Sequence, residues 1–289
     1  MLNSLLPWEF SASWFLACLG AIALYLRGIR QRRRRGTPVG FWRPLAFLLG
    51  VAAIYTVTQT RYDYLAQYMF FTHRGQHLVL HHLAPFLIAL AAPLPILTAG
   101  LPPFLTRMPA MNAVGRVLRP LYRTIQHPFV APLLFVGLIY FWLTPAVHFD
   151  AMLSRPLYDL MNWSMAIEGL LFWWLILDPR PAGAGGLAYG KRIAILVAVM
   201  PPQIALGAYI TFSDHVLYDV YAVCGRAWPL PPLTDQQLGG LLTWIPAAMM
   251  SVVGTLIVLR YLLHGQRSAA VSSPNNVDTD KAEAGNAAI

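Results

Sequence analysis

Charge is what this sequence has least of. Asp, Glu, Lys and Arg together make up 11% of its 289 residues, against about 25% in soluble domains. With 57% hydrophobic residues and a mean hydropathy of +0.53, that scarcity excludes an ordinary soluble domain and defines an integral membrane protein. Cysteine is nearly missing: Cys18 and Cys224 stand alone without CxxC spacing, which gives neither a disulfide framework nor a thiolate metal cluster. No P-loop is present, and Gly183-Ala-Gly-Gly186 sits in a basic connection with no preceding strand, so it reads as a flexible link. No Ser/His/Asp or Cys/His arrangement has the context of a hydrolase, and nothing marks the chain as an enzyme. Acidic residues number 12 against 21 basic ones, a net charge of +9. The basic residues fall in short blocks between apolar runs, a topology signal; nucleic acid is not the expected partner.

What is abundant is long apolar segments. Seven are long enough to cross about 30 Å of hydrocarbon: Phe10 to Leu26, Trp42 to Gln59, His77 to Leu97, Phe129 to Thr144, Leu160 to Leu177, Ile193 to Phe212 and Leu238 to Leu263. The expected fold class is all-α, a polytopic bundle of about seven transmembrane helices covering residues 1–264, surrounded by membrane lipid. Residues 265–289 are rich in Ser, Asn, Asp and Ala without periodicity and read as a disordered cytoplasmic tail. Of the 21 Lys and Arg residues, 17 lie in connections on one side, the largest block running from Arg27 to Arg43. That side is expected to be cytoplasmic, which places the N-terminus outside and the C-terminus inside. The basic residues of the first span follow its apolar run, so it is expected to stay in the protein rather than act as a cleaved signal.

Half of the eight histidines fall in His73-Arg-Gly-Gln-His77-Leu-Val-Leu-His81-His82. In a continuous α-helix, positions i, i+4 and i+8 share a face, so Met69, His73, His77 and His81 are expected to stack. Imidazole suits copper, zinc and iron, and a thioether shifts the preference toward Cu(I). The competing reading is a set of histidines tolerated at a wet helix end. The charge-derived topology puts His73, His77, His148 and His215 on the outer face, with His81 and His82 one turn deeper, close to Asp150, Asp214 and Asp219. Asp214 beside His215, and His148 near Asp150, are weaker candidates for the same outward-facing site.

Glu168 is the one acidic residue in mid-span, on a face shared with Met161 and Met165. An intramembrane carboxylate is a functional candidate; the alternative is a protonated Glu168 bonded to a neighbouring helix, with the methionines as packing. Pro85, Pro93, Pro95 and Pro201-Pro202 mark kinks or a broken-helix site.

Several runs, in order, resemble the CtaG family of polytopic membrane proteins associated with assembly of caa3-type cytochrome c oxidase. They are His73-x-x-x-His77 followed by His-Leu-Ala-Pro85; His127-Pro-Phe-Val-Ala131; the Trp142 to Pro145 corner; Gly169-Leu-Leu-Phe-Trp-Trp174; Gln203-Ile-Ala-Leu-Gly207; and, most specific, Asp235-Gln-Gln-Leu-Gly-Gly before Trp244-Ile-Pro246. The resemblance implies a bacterial inner-membrane protein needed to mature a haem-copper oxidase, with oxidase subunits as partners and a copper-handling step. It makes His73 and His77 the central ligand candidates and sets Asp235 near the outer face. Two positions depart from the family pattern: Leu143 where many relatives carry histidine, and Met161-Asn162 where many carry a Glu-His pair. The resulting expectation is a non-enzymatic assembly factor that binds or delivers copper at the periplasmic face through His73, His77, His81, Met69 and His215. Two rivals stand beside it: a copper or proton transporter working through Glu168 and the Met face, and a scaffold for oxidase subunits in which the histidines are incidental.

Overall fold

The computed structural model describes residues 9–102, 109–180 and 185–271. The expected tail from 272 onward and the first half of the 183–186 glycine run lie outside the described residues. The described residues are mostly helical, with no strand among them. Apolar backbone that cannot reach water must satisfy its own N–H and C=O groups, and helices do this within one segment.

In chain order the helices are α1 (Ala12–Arg34), α2 (Trp42–Gln59), α3 (Arg61–Tyr68), α4 (Phe70–His77), a π-helical segment (Leu78–Leu83), α5 (Ala84–Leu90) and α6 (Leu94–Gly100). Then follow α7 (Pro109–Ile125), α8 (Val130–Leu143), α9 (Pro145–Leu153), α10 (Arg155–Leu177), α11 (Tyr189–Phe212), α12 (Val220–Val223) and α13 (Pro232–Val271). Each expected apolar segment is helical, and α2 has the expected bounds. Four of these helices are long and apolar enough to cross a membrane, and up to six spans result when each bent pair is taken as one. The pairs are Phe70–Leu90 with Leu94–Gly100, bent by 77°, and Gly115–Ile125 with Val130–Leu143, bent by 80°.

The third expected span is the most altered. It begins at Phe70 rather than His77 and ends at a corner where Ala92 adopts φ +46° ahead of Pro93. α7 lies between the third and fourth expected spans; from Gly115 to Ile125 it has Arg116, Arg119 and Arg123 on one side and Val117, Leu118 and Leu121 on the other, all exposed. That is the pattern of a helix lying along a membrane surface.

The histidine-bearing run α4–π–α5 is central, packed by α2, α10 and α13, while α11 lies along α13 and α1 along α6. Close approach is set by small residues. Gly28 on α1 faces the backbone of Ile96, and Gly169 on α10 faces the backbone of His81, so a Cβ at either position would collide with a carbonyl oxygen. One apolar cluster gathers Phe70, Trp142, Leu143, Met161, Met165 and Tyr221; another is built from Phe86, Phe135, Phe172 and Trp173.

Candidate functional site

The expected ladder of Met69, His73, His77 and His81 does not form as one face. Met69 is extended (φ −142°, ψ 129°), so α3 ends and α4 starts there, which removes its side chain from the helical register of His73. The π-helical segment breaks the register a second time, because its i→i+5 bonding widens the turn that carries His81 and His82. The start of α4 is instead held from across the molecule. The two carboxylate oxygens of buried Asp235 accept from the backbone N–H of Phe70 (3.0 Å) and Phe71 (2.9 Å), and Arg226 donates to the same carboxylate. An acidic side chain at a helix N-terminus satisfies otherwise orphaned donors and complements the helix dipole.

The histidines are not at a wet helix end: His73, His77, His81 and His82 are all buried. His73 has no exposed surface, and neither of its ring nitrogens has a hydrogen-bond partner, the Ala66 backbone lying beside the ring outside bonding geometry. Its ring lies 4.3 Å from that of His77 and 5.1 Å from that of His148, centroid to centroid. Arg74 donates to His77 Nδ1 at 3.2 Å and to Thr243 Oγ1 at 2.9 Å. Arginine has only donors, so His77 Nδ1 is the acceptor, and Nε2–H donates to Asn162 Oδ1 at 3.1 Å. By the same logic His148 carries its proton on Nδ1, donating to the Trp142 carbonyl (3.1 Å), while Nε2 accepts from the Tyr221 hydroxyl (2.9 Å). Burial pushes the His148 imidazole down to about 3. Two of the three clustered rings thus have both nitrogens engaged, and His73 alone keeps a free lone pair.

A second polar group lies deeper. Gln203 Nε2 donates to the Val199 carbonyl (3.1 Å), which turns its Oε1 toward His82 Nε2–H at 3.2 Å. His82 Nδ1 is then the acceptor of His81 Nδ1–H at 3.2 Å, and His81 Nε2 meets Glu168 Oε2 at 2.7 Å. The chain closes with one proton shared in the His81–Glu168 contact. Met161 and Met165 pack among the aromatics, away from solvent. Between the two histidine groups is a cavity of about 10 Å³, lined by Arg74, His77, His81, His82, Met165 and Thr243, on the scale of a single water.

A third group joins α3, α4 and α10. Tyr158 Oη lies 2.8 Å from Asp63 Oδ1 and 2.9 Å from Gln76 Oε1, and Gln76 Nε2 donates to Asp63 Oδ1 at 2.9 Å. Burial pushes the Asp63 carboxyl up, against the pull of its donors Tyr158, Gln76 and Gln67.

His215 does not join these groups. It is exposed and pairs with its neighbour Asp214, Nδ1 to Oδ1 2.9 Å, and that hydrogen bond holds the Asp214 carboxyl below its ordinary value. Among the described residues, no three His, Cys, Asp or Glu side chains are arranged to hold a metal ion. Arg74, Asn162, Tyr158 and Gln203 join these groups without being among the residues expected from the sequence. Their signal is a polar side chain inside an apolar helix.

A bundle of apolar helices that keeps histidines, an arginine and carboxylates dry along its core is a polytopic membrane protein with a polar interior. Residues 23–264 match the model of the cytochrome c oxidase caa3 assembly factor family, Caa3_CtaG, and the chain belongs to that family. It is also similar to uncharacterized protein Mb0105 of Mycobacterium bovis and to uncharacterized protein MT0111 of Mycobacterium tuberculosis, each 28% identical over 96% of this chain and 42% of the relative. An uncharacterized protein of Mycobacterium leprae is 25% identical over 95% of this chain and 43% of its own length. The chain therefore spans less than half the length of these curated relatives. No solved structure matches it.

Proposed function

We propose that this protein serves maturation of a haem-copper oxidase in a bacterial inner membrane by holding a copper ion, as cargo, against His73 and His77. The observation that carries this reading is His73, a fully buried imidazole with both ring nitrogens unpartnered and two further imidazoles within 5.1 Å of its ring. Leaving such a group unpaired costs about 1–3 kcal/mol, and a bound ion is one recognised reason for its persistence. Imidazole is a competent copper ligand. His77 joins when Arg74 gives up Nδ1 and keeps Thr243 as its partner, so the pair is suited to transient holding rather than to a permanent cage. His81, with its nitrogens committed to His82 and Glu168, and His215, on the surface, drop out of the ligand set. The basic connections support an orientation with the α4 start toward the outer face, where an oxidase subunit would collect the ion.

The test is the copper content of purified protein compared with His73→Ala/His77→Ala, alongside optical spectra of the terminal oxidase in cells carrying each form. The expected result is copper lost with the double variant, together with a weakened oxidase signal. Wild type holding no more copper than the variant overturns the cargo reading.

A further inference from the structure

α1 carries exposed apolar side chains, Leu16, Leu19 and Leu26, and then runs into exposed Arg33, Arg34 and Arg35. At that change from apolar to basic surface, a pocket of about 260 Å³ opens between the end of α1, the start of α2 and the α5–α6 corner. Arg32 and Arg43 line it together with Trp42, Pro38, Ala92 and Ile96. The Nε of Arg32 is buried and has no hydrogen-bond partner. Among the described residues neither Arg32 nor Arg43 is ion-paired with an acid. Arg32 is half-buried and Arg43 exposed at the rim of this apolar pocket, and two guanidinium groups without an acidic counter-charge favour an oxyanion able to take paired N–H donors.

The neighbouring surface narrows the choice of anion. Trp42, in the pocket wall, is 76% exposed, and exposed tryptophan sits at the headgroup level of a bilayer. Next to the corner runs an apolar groove of about 670 Å³ whose walls include Leu24, Phe47, Leu94 and Leu97. A phosphate with acyl chains attached satisfies both surfaces. We propose that Arg32 and Arg43 bind the phosphate of an anionic phospholipid, with Trp42 against its headgroup and the chains along the apolar flank. This site is separate from the histidine chamber and does not rest on the copper reading.

The experiment uses full-length protein stripped of lipid by detergent exchange and titrated with phosphatidylglycerol, phosphatidylcholine or sodium phosphate, with adducts counted by native mass spectrometry. Phosphatidylglycerol is expected to bind at least about tenfold more tightly than phosphatidylcholine, and Arg32→Gln/Arg43→Gln to remove that preference. Arg33→Gln/Arg34→Gln, which deletes the same charge just outside the pocket, is expected to leave it unchanged. Trp42→Ala, at an exposed side chain, weakens binding without endangering the fold and serves if the double arginine variant does not fold. Equal loss in the two double variants means diffuse attraction and overturns the site. Equal binding of the two lipids, or displacement of phosphatidylglycerol by millimolar sodium phosphate, overturns the lipid assignment.

Discussion

Asp235 and Phe70 are 165 positions apart, yet the carboxylate of the first accepts the backbone N–H of the second at 3.0 Å. The first turn of α13 is thereby fastened to the first turn of the helix that carries His73 and His77. Arg226 closes the third side of the same carboxylate.

Removing this fastening is expected to be expensive. Asp235→Ala leaves Arg226 and two helix-start donors unpaired and is expected to cost about 3 kcal/mol, while Asp235→Asn, which keeps an acceptor, costs about half that. Thermal unfolding in detergent checks it; equal effects of the two variants would show that the charge, not the cap, matters.

Glu168 meets His81 at 2.7 Å, and the two substitutions that separate shape from pairing differ in outcome. Glu168→Gln can still donate to His81 Nε2 and is expected to change stability by less than about 1 kcal/mol, whereas Glu168→Ala strands that nitrogen at a cost of about 1–3 kcal/mol. A Gln variant that unfolds as readily as the Ala variant rules out this pairing as the stabilising contact.

Asp63 gives a pH dependence with a definite sign. Its carboxyl is pushed above the ordinary value of 3.8 by burial. The folded state therefore holds a proton more tightly than the unfolded chain, and the associated stability is complete below pH 3.8 and lost as pH rises through the folded-state value. Unfolding temperatures measured upward from pH 4 are expected to fall more in wild type than in Asp63→Asn. Parallel curves would refute the assignment.

Gly169 touches the backbone of His81, with no space for a methyl group. Gly169→Ala is expected to destabilise by about 1–3 kcal/mol through overpacking, and to disturb the His81–Glu168 contact. A variant as stable as wild type would mean that α10 can retreat from the π-helical segment freely.

Much of this architecture can be read from residue order, because apolarity is a local property. α2 lies between the residues at which its hydropathy begins and ends, and the family expected from the ordered runs of sequence is the one whose model matches residues 23–264. The site is legible only in outline. Stacking Met69 over His73 assumes one unbroken helix, and nothing local announces the extended backbone at Met69 or the widened turn from Leu78 to Leu83. Partners such as Tyr158 for Asp63, 95 positions away, or Tyr221 for His148, 73 away, follow from how helices meet. Glu168 is the intermediate case: its need of a partner follows from the cost of a lone charge in an apolar span, but only the packing names His81.

The π-helical segment has one more consequence. A wider turn amounts to a single extra residue lodged in an otherwise α-helical run, so two adjacent side chains, His81 and His82, both end up buried and bond to different helices, α10 through Glu168 and α11 through Gln203. Deleting one residue between Leu78 and Leu80 would let the run revert to ordinary α-helix and rotate one of the two histidines out of reach. The insertion thus works as a splitter, turning one helix face into two separate anchoring points.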